Sequence, residues 1–322
     1  MTVQILILIL GLAMVVAGAD ALVEGASAIA RKYGVSEFVI GLTIVGFGTS
    51  LPELVVSVTG ALEGNSAIAI GNVVGSNIFN VLLILALSAL FHPIAITKTN
   101  HHRDIPIVIG ATFLVIILGM SKTLFGLGGA DGLSRIEGAV LLALFILYIV
   151  QCFIADQAEE NSGEHSEEGK PRPSWQAVIF IAAGLACLIL GGRLFVDSAV
   201  NIAHMLHVSD KFIAITVLAM GTSLPELATS IVALVKRRSQ MALGNILGSN
   251  VFNLLLILGT SAVISPMSFA SVNLVDMAAL ALSALLIFTS IHTAKRNMID
   301  RFDGSLMLAA FVAYMVWLFI KL

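Results

Sequence analysis

The sequence has 322 residues, 58% of them hydrophobic and 11% charged, with a mean hydropathy of +1.01. Apolar runs of about 18 or more residues recur along it, each long enough for a bilayer's ~30 Å hydrocarbon core, which excludes a water-soluble domain. A transmembrane β-barrel is excluded too, since it would show short alternating segments, and the net charge of −3 says less than where the charges lie.

The first twenty residues, MTVQILILILGLAMVVAGAD, lack the positive region that opens a cleaved signal and read as a first span. In chain order ten spans are expected, over 3–30, 38–62, 67–91, 105–121, 136–155, 175–204, 211–235, 240–264, 272–291 and 304–320. The expected fold class is therefore an all-α polytopic membrane protein. Asp20 and Glu24 on the first span, and Arg193 and Asp197 at the equivalent places on the sixth, read as guards of an ion pathway or as interfacial, paired charges. Cys152 and Cys187 have no metal-ligand spacing and read as unpaired thiols that behave as small hydrophobes. His101, His102 and the other histidines read as solvated loop residues. The stretch 156–174, DQAEENSGEHSEEGKPRPS, is rich in Glu, Ser, Gly and Pro and reads as a flexible acidic linker.

That linker separates two halves. Aligned at an offset of 173 residues, 41–85 and 214–258 share 22 identities in 45 positions, mostly Gly, Ser, Thr, Asn, Pro and Glu rather than common apolar types. This is an internal duplication. Five spans per half is an odd number, so the second half enters the membrane from the opposite side. The expected domains are a five-helix repeat over 1–155, the linker over 156–174, and an inverted five-helix repeat over 175–322. Such inverted repeats are the architecture of secondary transporters, with the site at the repeat interface. On this layout Lys122, Arg135, Lys211 and Lys321 lie on one side, and twelve other Lys and Arg residues on the opposite side. The positive-inside rule then puts both termini outside and the linker in the cytoplasm.

Within the duplicated segments GTSLPE occurs twice, at 48–53 and 221–226. Proline lacks a backbone N–H and displaces the carbonyl four residues back, so Pro52 loosens Gly48 and Pro225 loosens Gly221. In lipid a freed carbonyl must find a partner, and a bound cation is one. Thr49 and Ser50 stand four and three residues before Glu53, on its helical face; Thr222 and Ser223 stand likewise before Glu226. Each copy thus offers a carboxylate, hydroxyls and loosened carbonyls, all hard oxygen donors. A membrane-embedded glutamate is a functional residue by default.

A second duplicated pair reads GNVVGSNIFN at 71–80 and GNILGSNVFN at 244–253. Asn72, Ser76 and Asn80, and again Asn245, Ser249 and Asn253, recur every four residues as one polar stripe. They read as ligands or as interhelical glue, and so do Asn77 and Asn250 one position off the stripe. With no thiolate or histidine at these motifs, soft metals are disfavoured. Calcium accepts ~6–8 oxygens at roughly 2.3–2.6 Å, and sodium, of similar size, accepts the same donors. Two carboxylates carry a charge that one Ca2+ or two Na+ would neutralise.

These motifs, GTSLPE twice and GNxxGSNxxN twice, resemble the cation/calcium exchanger superfamily, in particular prokaryotic sodium/calcium exchangers and their inner-membrane relatives. The resemblance extends over essentially the whole chain. It implies a secondary antiporter that exchanges Na+ for Ca2+ across the inner membrane, functional as a monomer. It implies Glu53 and Glu226 as central ligands, oxygens from Thr49, Ser50, Thr222 and Ser223, and Ser76, Asn80, Ser249 and Asn253 completing the site. It also implies that the carbonyls of Gly46 and Ala219 line outer sodium positions, and that the first and sixth spans slide as a pair. Several members carry an acid where this chain has Asn80 or Asn253, so the site here is less negative. A H+/Ca2+ exchanger and a cation channel are the alternative readings. An intramembrane hydrolase is disfavoured, because neither Ser50 nor Ser223 has a histidine or lysine within a turn, and G-x-S-x-G is absent.

Overall fold

The computed structural model describes residues 1–126, 130–160, 173–206, 219–270, 272–292 and 297–321. The described residues are overwhelmingly helical, as the apolar runs demand where lipid offers backbone groups no partner. The long helix α1 (Thr2–Tyr33) ends on Gly34, whose left-handed conformation (φ 66°) caps it. The next apolar run is broken into α2 (Glu37–Thr49) and α3 (Leu51–Leu62), bent by 49°. Then come α4 (Ser66–Phe91), α5 (Asn100–Gly119), the short α6 (Ser121–Phe125) and α7 (Arg135–Glu160). The second half runs α8 (Ser174–Met205), α9 (Ala219–Thr222), α10 (Leu224–Val235), α11 (Ser239–Ile264), α12 (Leu274–Ser290) and α13 (Arg301–Lys321).

Seven of these helices are long and apolar enough to cross a membrane, or eight if the bent pair α2–α3 is one span. The apolar helices α10 and α12 fall below that length. Each remaining expected span has a helix at its place. Of the expected 211–235 span, residues 211–218 lie outside the described residues, as do residues 161–172 of the expected linker. At its start that linker differs from expectation: α7 continues through Glu160, because Gln157, Ala158, Glu159 and Glu160 are good helix formers.

The centre of the molecule is α4 and α11. Of their apolar windows 78% and 83% are buried, against 28% or less for α1, α7, α8 and α13. Small residues bring α11 against α2: a Cβ at Gly244 would overlap the carbonyl oxygen of Phe38, and one at Gly248 would stand 2.9 Å from Leu42 Cα. On the outside α1 and α8 pack backbone to backbone in opposite directions. Gly11, Gly18 and Gly25 are seven residues apart. A Cβ at any of them would stand only 2.8 Å from a carbonyl oxygen, that of Gly191, Gly184 and Ala177 in turn.

Contacts elsewhere come in matched pairs. The strand β1 (Ile94–Ala95), after α4, pairs antiparallel with β4 (Met298–Ile299), before α13; β2 (Gly132–Leu133), before α7, pairs antiparallel with β3 (Met267–Ser268), after α11. Tyr148 on α7 donates to the carboxylate of Asp104 on α5 (3.1 Å), and Tyr314 on α13 donates to Asp276 on α12 (2.9 Å). Asp104 also receives Arg103 (2.8 Å) and Asn100 (3.1 Å), which satisfies an otherwise costly buried charge.

Candidate cation site

The break between α2 and α3 falls at Ser50, which leaves the helical region (φ −83°, ψ 4°), with Pro52 in the first turn of α3. Ser223 does the same between α9 and α10 (φ −91°, ψ 8°), ahead of Pro225. Proline suits the start of a helix, where its missing N–H costs nothing, so each GTSLPE ends one helix and begins another.

The break redirects the side chains. Ser50 was expected to share a face with Glu53, but its hydroxyl donates instead to Glu226 Oε1 in the other half (3.1 Å). Ser223 likewise donates to Glu53 Oε1 (3.3 Å). An unbroken helix would put residues three apart on one face; the bend at the serine turns its hydroxyl across to the opposite repeat. Both glutamates are buried, at 0% and 1% exposure, and the crossed bonds bring the two carboxylates into one place.

Further buried oxygens of the same motifs are left without a partner among the described residues. Glu53 Oε2, Glu226 Oε2, Ser76 Oγ, Ser249 Oγ, Asn80 Oδ1 and Asn253 Oδ1 are all buried and accept no hydrogen bond of standard geometry from the described residues. Six unpaired buried oxygens would be costly in an apolar interior. All six lie on residues read as ligands from the sequence, and oxygen is what a hard cation takes. Asn80 opens a π-helical turn (Asn80–Leu85) in α4, and Asn253 lies in its counterpart in α11 (Phe252–Ile257); such turns widen a helix and gather at functional sites. Among the described residues no group of three or more His, Cys, Asp or Glu side chains could hold a metal ion. A cation between Glu53 and Glu226 would meet mostly neutral oxygens.

The other expected site residues are placed as follows. Thr49 is buried and donates to Gly46 O (3.3 Å) and Asn245 Oδ1 (3.2 Å). The Gly46 carbonyl also accepts the Ser50 N–H (3.1 Å). Thr222 closes α9 and is half-buried; Ala219 opens that helix. Asn72 and Asn245, left open between ligand and glue, bond neighbouring helix atoms. Asn72 Nδ2 donates to Glu53 O (3.1 Å) and Ser57 Oγ (2.9 Å). Asn77 donates to Val73 O (2.7 Å), and Asn250 Oδ1 accepts from Asn80 (3.4 Å). Ser57, Thr229 and Ser230 were not singled out in the sequence, although serine four residues after the glutamate recurs in both copies.

Away from the site, Asp20 and Glu24 pair with Lys236 (2.9 and 3.3 Å), which ties α1 to the end of α10. Arg193 and Asp197 make no ion pair among the described residues. His101 departs from the solvated-loop expectation: it is half-buried, its ring 4.7 Å from His102 and 5.6 Å from His292. Cys152 and Cys187 form no disulfide among the described residues.

The family described as sodium/calcium exchanger protein matches residues 3–154 and 176–320. The putative antiporter CaxA of Alkalimonas amylolytica is 38% identical over 326 residues, covering 99% of each chain. The inner membrane protein YrbG of Escherichia coli is 37% identical over 270 residues, covering 81% of this chain and 79% of its own. The solved sodium-calcium exchanger NCX_Mj, soaked with Na+ and Ca2+, superposes with a TM-score of 0.80 at 33% identity, over 98% of both chains.

Proposed function

The chain belongs to the sodium/calcium exchanger protein family, and from that premise we propose that it is a secondary antiporter exchanging Na+ for Ca2+ by alternating access. At the coarser level it is a multi-pass membrane cation/Ca2+ exchanger, in a family of transporters rather than catalysts.

One observation carries the proposal: Ser50 reaches Glu226 and Ser223 reaches Glu53, so two separate helix breaks make one pair of carboxylates. The pair would carry about −2, matched by one Ca2+ or two Na+. Buried oxygens of Ser76, Asn80, Ser249 and Asn253 have no hydrogen-bond partner among the described residues, and Ca2+ takes such oxygens at roughly 2.3–2.6 Å. We assign Glu53, Glu226, Thr49, Ser50, Thr222, Ser223, Ser76, Asn80, Ser249 and Asn253 as the ligand set, with the carbonyls of Gly46 and Ala219 flanking it. A site drawn from one chain suits a monomer.

The ten-span, inverted five-plus-five layout is part of the proposal. The pairing of β1 with β4 and of β2 with β3 supports it, because paired loops must share a membrane face. With ten spans, the loops after the third and ninth lie on one face, and those after the fourth and eighth on the other. The charge distribution puts the first face in the cytoplasm and both termini outside. The name of YrbG favours the inner membrane. Opposed repeats around a fixed midplane site are what alternating access needs.

Flux in proteoliposomes tests the function. Sodium loaded inside should drive uptake of radiolabelled Ca2+, and choline in its place should abolish it. Uptake driven by a pH gradient but not by sodium would assign proton exchange instead. Conductance far above a carrier's turnover would assign a channel.

A further inference from the structure

Asn245 on α11 is bonded to the backbone of Glu226, and both ends of its amide are engaged. Nδ2 lies 3.3 Å from Glu226 O, 2.9 Å from Thr229 Oγ1 and 2.9 Å from Ser230 Oγ. A carbonyl oxygen only accepts, so the atom facing Glu226 O is the NH2 and the other end of the amide is the oxygen. That oxygen faces Thr49 in the opposite half, 3.2 Å from its hydroxyl. An amide oxygen also only accepts, so Thr49 must donate to it. The second acceptor beside Thr49 is Gly46 O at 3.3 Å.

Thr49 has one proton and two acceptors, neither of them a carboxylate. With that proton drawn to Asn245, the lone pairs of Thr49 are left for a cation. Without Asn245 the hydroxyl loses this acceptor, and its proton is no longer held away from the cation. The other half repeats the donor side: Asn72 Nδ2 bonds Glu53 O and Ser57 Oγ, and in the duplicated sequence Thr222 and Asn72 correspond to Thr49 and Asn245 at the offset of 173.

We propose that Asn245, with Asn72 as its counterpart, is a positioning residue: it orients the threonine hydroxyl of the GTSLPE segment so that an oxygen lone pair, not a proton, faces the cation. The inference rests on the cation-exchange reading of this site.

Calcium chloride titrated calorimetrically into the purified full chain tests it, in a cycle of wild type, Asn245→Ala, Thr49→Val and the double variant. Each single change should raise the half-saturating Ca2+ concentration about tenfold, and the double variant should bind no worse than Thr49→Val alone. A role confined to helix packing would lower the thermal midpoint and leave the two effects additive, about a hundredfold together; that result overturns the inference. If Asn245→Ala does not give folded protein, the same cycle on Asn72 and Thr222 decides it by the same criterion. A wild type that binds no Ca2+ overturns the exchange reading itself, and this inference with it.

Discussion

Ser50 and Glu226 lie 176 residues apart in the chain, yet the serine hydroxyl donates to the glutamate carboxylate across 3.1 Å. The reciprocal bond, Ser223 to Glu53, is 3.3 Å long. In neither half does the serine of GTSLPE hold that half's own carboxylate, so the carboxylate pair forms where the halves meet.

Glu53→Gln and Glu226→Gln should each reduce sodium-driven Ca2+ uptake by at least about a hundredfold, because an amide cannot balance a divalent charge that a carboxylate must meet. The glutamine oxygen can still accept the serine hydroxyl, so folding should survive. Without Ca2+ the variants should unfold at the same temperature as wild type or higher, because a desolvated charge is removed. Flux assays beside thermal unfolding scans separate the two effects.

Ser50→Ala should weaken Ca2+ binding about ten- to a hundredfold, the value of one hydrogen bond to a charged group. Its effect should couple to the far glutamate rather than the near one. In double-mutant cycles Ser50→Ala should be non-additive with Glu226→Gln and additive with Glu53→Gln. The reverse pattern should hold for Ser223→Ala.

Gly244→Ala should be strongly destabilising. Its Cβ would overlap the carbonyl oxygen of Phe38, and backbone cannot move aside as a side chain can. Overpacking costs about 1–3 kcal/mol or more, here spread between α11 and α2, so both the yield of folded protein and Ca2+ affinity should fall. Gly64→Ala has open space around it and only the left-handed backbone (φ 70°) to strain it; it should cost about 1 kcal/mol and leave affinity unchanged.

The two tyrosine–aspartate bonds should not be equivalent. Asp104 is fully buried, whereas Asp276 is half-buried and keeps some access to its surroundings. Tyr148→Phe strands part of a buried carboxylate and should cost about 1.5–3 kcal/mol; Tyr314→Phe should cost about 1 kcal/mol or less. Thermal unfolding of the two variants in one detergent compares them directly.

Much of this was legible in the sequence because polar residues stand out in apolar runs. Glu53, Glu226 and the Ser and Asn residues of α4 and α11 were marked by their type and by their repetition. Their crossing was not legible: helical periodicity puts Ser50 beside Glu53, and only the bend shows it serving Glu226. The role of Asn72 and Asn245 was likewise open, since an amide on the polar stripe has the same spacing whether it meets a cation or a backbone carbonyl. The π-turns at Asn80 and Asn253 have no composition signal, and the Tyr148–Asp104 bond joins residues whose proximity depends on how α5 packs on α7. Propensity did speak at Glu160, where good helix formers extend α7 into a stretch whose overall polarity reads as coil.

A crystal of this protein soaked in Sr2+, an anomalous scatterer that stands in for Ca2+, puts the central claim to its most direct test. One strong peak is expected between the carboxylates of positions 53 and 226, in contact with oxygens from both halves of the chain. Peaks held by a single repeat, or only at the surface while the buried oxygens stay unliganded, would contradict a shared cage.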